Sequence, residues 1–559
     1  MCGIFSILNN TFEKSEYTEA FSHGNKRGPE NSVLECGNIY NNIILGFSRL
    51  AINGFNNIES EQPFLIDNCS LICNGEIYNF SKLYQLLNVN PKSKSDCEVI
   101  IHMYKKYGIK QTLNLLDGVF AFVLIDYTKK IVYVARDPYG VRPLFYSINN
   151  NVFIFASLLK QITPLSNFCK QFPPGHCFRY DIVDNKSVYN NMYQYSTTAI
   201  FTNKLINSEE KAIKLIRDSF INAVRKRVHN TERDIACLLS GGLDSSLVAG
   251  VVSFYYKKKF PTKKLHTWSI GFKGSEDLKH AKLVAKHIDS IHHSIVVEEQ
   301  EFINAIEHVI YTIESYDTTT VRASVGNYLI SKYIKSYEKT VDAKVIFNGD
   351  GADELMGGYL YFHYIKDPII FDKECKRLLN NIHFFDVLRS DRSISENGLE
   401  ARTPFLDRNF VQNYLSIPSE LRCHTKNGFC EKYLIRRAFD DNTLPESVLW
   451  RTKEAFSDGV SSQSNSWHNI IKEHAINKFI KDENLPDDED SVLQILASKY
   501  TFNKPTTLEQ LYYRLIFEKH FPNSERIIPY FWMPRYVKAT DASARSLKIY
   551  KKLIKTKEQ

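Results

Sequence analysis

The passage Ile235-Ala236-Cys237-Leu238-Leu239 runs without a break into Ser240-Gly241-Gly242-Leu243-Asp244-Ser245-Ser246 and on into Leu247-Val248-Ala249. A buried strand that ends in paired glycines and serines and resumes as a helix restricts this region to an α/β arrangement with an anion at the strand end. Glycines let backbone amides approach the anion, the hydroxyls add donors, and the helix N-terminus adds partial positive charge. The lysine of Gly-x4-Gly-Lys-Ser/Thr is missing, so the loop reads as a pyrophosphate cradle and not as a device for γ-phosphoryl transfer. Asp244 suits a Mg²⁺ shared with the phosphates.

The flanking sequence agrees with a parallel sheet. Glu209 to Arg227 carries apolar residues at helical spacing, and Leu265–Ile270 and Val345–Phe347 are two further buried-strand candidates that end in polar or glycine-rich turns. Residues 1–195 have a different texture. Their short β-type runs, Ile43–Leu45, Leu71–Cys73, Phe120–Ile125, Ile131–Ala135 and Val152–Ala156, are punctuated by Gly, Asn and Pro, which predicts packed antiparallel sheets. The polar stretch 196–208 separates the two textures. At 559 residues the chain is long enough for two or three domains. Its longest apolar run, Val119 to Ile125, is far short of a membrane span. Glu13, Lys14 and Glu16 interrupt the start, which argues against a signal peptide and for a cytoplasmic setting. The eleven cysteines contain no Cys-x-x-Cys pair, against both a zinc ribbon and a disulfide framework. A net charge of +8 is modest for this length, and the lysines at 548, 551, 552, 555 and 557 read as a solvated tail and not as a nucleic-acid site.

Cys2 directly follows the initiator methionine. Removal of Met1 would place its thiol beside a free α-amine of ordinary pKa about 7.7–8.0, a suitable general base near neutral pH. Nucleophile and base would then be one residue.

Several motifs now point to known families. Ser240 to Ser246 resembles the loop of the ATP pyrophosphatases, which adenylate a substrate and release pyrophosphate. Cys2-Gly3, Arg49-Leu50-Ala51-Ile52, Asn74-Gly75-Glu76-Ile77-Tyr78-Asn79 and Ser95-Asp96-Cys97-Glu98 resemble a class II glutamine amidotransferase. Both in this order resemble the glutamine-hydrolysing asparagine synthetases. The likeness extends through Tyr359-Leu360-Tyr361-Phe362-His363, Leu399 to Asp407, Lys453 to Gly459, Trp532-Met533-Pro534 and Ala539-Thr540-Asp541, and is strongest to the eukaryotic form.

That resemblance implies an α+β glutaminase domain over 2–195, with antiparallel sheets sandwiched by helices in the N-terminal nucleophile manner. It also implies an α/β synthetase domain over 208–535 and a tail over 536–559. In the first domain it implies Cys2 as nucleophile, Asn74 and Gly75 as oxyanion donors, and Arg49, Leu50, Ala51, Ile52, Asn53, Glu76 and Asp96 around glutamine. Taken singly, Arg49 also suits a surface ion pair, Asn74-Gly75 a hairpin turn and Asp96 a helix cap. In the second it implies ATP contacts at Leu239, Ser240, Gly241, Gly242, Asp244, Ser245, Ile270, Asn348 and Gly349. Aspartate contacts fall at Thr319, Thr320, Arg322 and Arg402, and Mg²⁺ carboxylates at Asp244 and Asp353. Asp350 and Lys453 become catalytic. The implied substrates are L-glutamine, L-aspartate and ATP, with an internal path for ammonia, no nucleic acid and no membrane; a homodimer is compatible with it.

Two stretches depart from the family pattern. One is Asn25-Lys26-Arg27-Gly28-Pro29, where the family usually has a histidine before Arg-Gly-Pro. Asn348-Gly349-Asp350-Gly351 stands where the family has Ser-Gly-Glu-Gly, so the catalytic carboxylate is one methylene shorter. The rival readings are another adenylating amidotransferase, from which a β-lactam-forming relative is set apart by the retained Cys2, and a catalytically impaired scaffold.

Overall fold

A computed structural model describes residues 1–453, 456–461, 466–480, 486 and 488–550. Glu454 and Ala455 of the Lys453-to-Gly459 motif, and Lys551, Lys552, Lys555 and Lys557 of the tail, lie outside the described residues. The chain divides into two compact units. One comprises Met1–Ala199, His229–Asp234 and Ile394–Ala401, and the other Ile200–Val228, Ile235–Ser393 and Arg402–Gln559.

The strands of the first unit are Gly3–Leu8 (β1), Asn31–Cys36 (β2), Ile44–Arg49 (β3), Phe64–Ile66 (β4), Cys69–Ile77 (β5), Gly118–Asp126 (β6), Ile131–Arg136 (β7), Phe145–Asn149 (β8), Val152–Ala156 (β9), Lys170–Gln171 (β10), His176–Val183 (β11) and Lys186–Gln194 (β12). They pair antiparallel into two six-stranded sheets, ordered β10-β8-β9-β1-β3-β2 and β12-β11-β7-β6-β5-β4. Lys14–Ser22 (α1), Phe80–Leu87 (α2) and Val99–Leu115 (α3) cover the outer faces. β6 explains why Val119 to Ile125 reads as an unbroken apolar run. Phe120, Phe122 and Leu124 pack against Ile100, Met103 and Leu113 of α3, while Ala121, Val123 and Ile125 pack with Ile4, Leu45 and Phe155 between the sheets. Alternate side chains serve opposite faces, and both faces are covered. On the other sheet Phe21 of α1 lies 5.9 Å from Phe5. The layers run helix, sheet, sheet, helix. β1 sits between β9 and β3, so Cys2 stands at the mouth of a central strand.

In the second unit Glu209–His229 (α4) leads into Asp234–Leu238 (β13), followed by His266–Gly271 (β14), Ile291–Val296 (β15) and Ala343–Phe347 (β16), ordered β15-β14-β13-β16. β13, β14 and β15 pair in parallel. Leu243–Lys259 (α5), Glu276–His287 (α6), Glu299–Ile313 (α7) and Thr318–Ser336 (α8) supply the crossovers. β13 has β14 on one side and β16 on the other, so the winding reverses there, and the loops leaving β13 and β16 border one crevice. β15 was not legible as a strand. Its two histidines and a serine interrupt the apolar pattern, and as an edge strand it is only half buried.

The segment after 535 is packed, not frayed, through its described part. Val537, Ala539, Ala542, Leu547 and Tyr550 gather around Trp532 and Tyr361, although Lys548 itself is exposed. Asp541 from this segment meets Arg322 of α8 at 2.8 Å through both terminal nitrogens, and Arg322 Nε donates to Glu509 at 2.8 Å. Arg322→Met should therefore lower the unfolding free energy by about 3–5 kcal/mol, because it leaves Glu509 buried without its partner. Denaturant unfolding measures this, and a loss under about 1 kcal/mol would show that the cluster reorganises around the missing charge. Among the described residues no helix is long and apolar enough to cross a membrane.

Candidate active sites

A small cavity of about 30 Å³ in the first unit is bordered by Cys2, Arg49, Leu50, Ala51, Ile52, Asn53, Gly75, Glu76 and Asp96. The thiol of Cys2 donates to the Leu50 carbonyl at 3.5 Å. Arg27, buried, donates from Nε to the Cys2 carbonyl at 3.0 Å and from Nη1 to Ser395 Oγ at 2.9 Å, so it fixes the backbone that carries the nucleophile. Burial pushes the Cys2 thiol up to about 11 and pulls the Met1 amine down to about 6. With Met1 in place the thiol stays protonated near neutrality.

Asn74 shares the face of β5 that Ile72 turns toward the space between the sheets, where Cys2 also packs. Its amide nitrogen is buried and has no hydrogen-bond partner among the described residues. A donor left unpaired costs free energy unless a ligand completes it, which suits an oxyanion hole. Arg49 donates to the Gly54 carbonyl at 2.7 Å and lies 3.5 Å from Glu61, and its remaining donors have no partner among the described residues, which suits a carboxylate. Glu76 accepts from Asn230 at 2.9 Å and Asn53 at 3.4 Å. Asp96 accepts from the Ile77 backbone, and the cap of its turn is Ser95, which accepts from the Cys97 amide.

The second cavity, about 160 Å³, opens at the ends of β13 and β16. Leu239, Ser240, Gly242, Asp244, Ser245, Ile270, Thr319, Asn348, Gly349, Asp350, Asp353 and Lys453 line it. Gly241 does not line it but holds the turn at φ +76°, where an added Cβ would meet the Ala281 amide at 2.5 Å. Gly349 lets the two loops touch, since a Cβ there would sit 2.8 Å from the Ser245 amide.

Two lysines meet two carboxylates at the polar end. Lys432 lies 2.6 Å from Asp244 and 2.5 Å from Asp353, and Lys453 lies 2.7 Å from Asp353 and 3.4 Å from Asp244. Burial alone would raise the Asp353 carboxyl, but the two ammonium groups outweigh it and hold the group well below the usual carboxylate range. The same carboxylates hold Lys453 charged against its burial. Asp350 is pushed up by burial and opposed by Arg389, 3.3 Å away, which also holds Asp386 at 2.9 Å. Lys432, Tyr359, Asp386 and Arg389 belong to this site although the sequence does not mark them as site residues. Tyr359 opens one of the motifs of the resemblance but carries no assigned role there; Lys432, Asp386 and Arg389 stand outside any motif, and packing brings Asp386 and Arg389 to the cavity wall and Lys432 against its carboxylates.

The comparison with known proteins agrees with this geometry. Residues 1–213 match the glutamine amidotransferase domain, and residues 215–369 and 370–535 match asparagine synthase. The chain belongs to the asparagine synthase family. Asparagine synthetase [glutamine-hydrolyzing] of Gallus gallus is 42% identical over 579 residues, covering 99% of this chain and all of that protein. The Homo sapiens protein of the same name is 41% identical over 578 residues, with the same coverage.

In this asparagine synthase chain three of the four expected aspartate contacts lie away from the cavity. The Thr320 hydroxyl donates to Asp317, the helix cap of α8, at 2.7 Å. Arg322 is saturated by Glu509 and Asp541, and Arg402, fully buried, donates to the Arg227 carbonyl. These guanidinium groups are committed to the interior, where an unpaired charge would be costly. Thr319 does line the cavity, and its hydroxyl has no partner among the described residues.

Proposed function

We propose that this chain makes L-asparagine from L-aspartate, taking nitrogen from L-glutamine and activating the β-carboxylate with ATP, in the cytoplasm. Glutamate, AMP and pyrophosphate are the other products. The observation that carries the reading is the lysine-free Ser240–Ser246 loop lining one cavity with Asp350 and Lys453, on a chain that also holds Cys2 and Gly75 at another cavity, with an Asn74 amide nitrogen on the same strand as Gly75 that no described residue pairs.

Cys2 attacks the side-chain amide of glutamine, Asn74 and Gly75 donate to the oxyanion, Arg49 takes the α-carboxylate, and Glu76 with Asp96 faces the α-ammonium. Ammonia leaves. In the other cavity the loop amides and serine hydroxyls hold the phosphates, and Lys453 neutralises charge that builds on the adenylate. Asp350 takes a proton from the attacking ammonia. Asp244 and Asp353 present only carboxylate oxygens, the donor set a Mg²⁺ arriving with the nucleotide prefers, and that ion would supply further charge neutralisation. The domain limits proposed are 2–195 and 208–535.

Chromatography of spent nucleotide tests the reaction. AMP should accumulate one for one with asparagine; ADP as the stoichiometric product would overturn the assignment of the loop.

A further inference from the structure

α8 presents Thr319, Ala323, Asn327 and Ile330 to the second cavity, at helical spacing along one face. Asn327 stands eight residues along the helix from Thr319, a rise of about 12 Å, so the two residues face separate parts of the cavity. Its cavity neighbours on the helix, Ala323 and Ile330, are apolar. β14, which packs on α8, adds Trp268 and Ile270 to the same wall. This is the composition of a pocket for a flat heteroaromatic ring, with one amide set into it.

That amide is unmatched. Asn327 is 7% exposed, its backbone carbonyl accepts from Ser331 at 2.7 Å, and its side chain makes no hydrogen bond among the described residues. Neither amide atom is fully sealed from solvent, so a ligand that displaces water from it must supply one acceptor and one donor side by side or leave the amide unsatisfied. Adenine does so at N7 and N6, a pairing that asparagine matches with both its atoms. Guanine offers two acceptors on that edge, so one half of the amide would face a like group.

Building on the reading that this cavity takes ATP, we propose that Asn327 is a specificity-determining residue: its amide oxygen accepts from the N6 amine of adenine and its nitrogen donates to N7. The site thereby selects ATP over GTP by the base and not only by the phosphates.

The test measures AMP or GMP formation by the full-length enzyme with ATP, GTP, 7-deaza-ATP (no N7 acceptor) and purine riboside triphosphate (no N6 donor), for wild type and Asn327→Leu. Wild type should lose about tenfold or more in kcat/KM on each altered nucleotide, mostly through KM. Asn327→Leu should bind ATP more weakly and use ATP, 7-deaza-ATP and purine riboside triphosphate within about threefold of one another. A wild type indifferent to both adenine analogues would overturn the proposal, as would a folded leucine variant that still discriminates. If the variant does not fold, the wild-type series decides alone. Calorimetric binding of the same nucleotides measures the same discrimination independently of turnover. Discrimination in binding with no AMP formed from ATP would sink the proposed reaction and leave the base contact standing.

Discussion

Cys2→Ala should lose glutamine hydrolysis by about 10⁴-fold or more, the scale on which removal of a covalent nucleophile acts. AMP formation driven by ammonium salt should continue at its own rate. The nucleophile lies in the first unit's cavity, and every residue lining the second cavity lies in the other unit, so the two half-reactions share no side chain. Glutamate release and ammonia-dependent AMP release, measured on the same preparation, check this; loss of both from a folded variant would contradict it. The wild-type activity in turn depends on processing. With Met1 attached, burial holds the Cys2 thiol near 11, and the amine that could take its proton belongs to another residue. Intact mass should therefore show the active enzyme beginning at Cys2. Full glutaminase activity with Met1 retained would overturn the role of the α-amine.

Much of this was legible because the chemistry sits in local signatures. The strand-loop-helix at 235–249 and the Asn74-Gly75-Glu76 stretch of β5 carry their function within a few consecutive residues, and pattern reasoning reaches that far. Arg322 and Arg402 show the limit. An arginine near a motif reads as a free cation, and only the fold reveals that Glu509 and Asp541, some two hundred residues later in the chain, have already claimed Arg322. Lys432 and Arg389 were invisible for the converse reason: nothing beside them in sequence marks them, yet tertiary packing drives each into a cluster of carboxylates. Asn25 is a smaller case. Next to Lys26, which stands directly before Arg27-Gly28-Pro29, its side-chain oxygen accepts from Ser48 Oγ at 3.3 Å, which ties the turn that carries Arg27 to β3.

Wild-type enzyme should release more than one glutamate per asparagine, and Asp350→Glu should bring the ratio toward one. The aspartate carboxylate falls short of the family's glutamate by one methylene, and a misplacement of about 1 Å at a reacting group can cost about 100-fold in rate. A forward shift of the loop would restore the reach, but the structure ties the loop back. The Asn348 amide donates to Ser390 Oγ at 2.6 Å, the Asp350 amide donates to Asn348 Oδ1 at 3.3 Å, and Arg389, one residue before Ser390, holds the carboxylate itself. Arg389 is anchored in turn by Asp386, so Asp350 cannot advance without breaking an ion pair in a buried network. Glutamine hydrolysis, at a separate site, does not slow in step, and ammonia is then made faster than adenylated aspartate captures it. The glutamate-to-asparagine ratio at saturating aspartate and ATP decides the matter. A wild-type ratio of one that Asp350→Glu leaves unchanged would mean that the loop moves when substrates bind and that the Arg389 contact does not hold it.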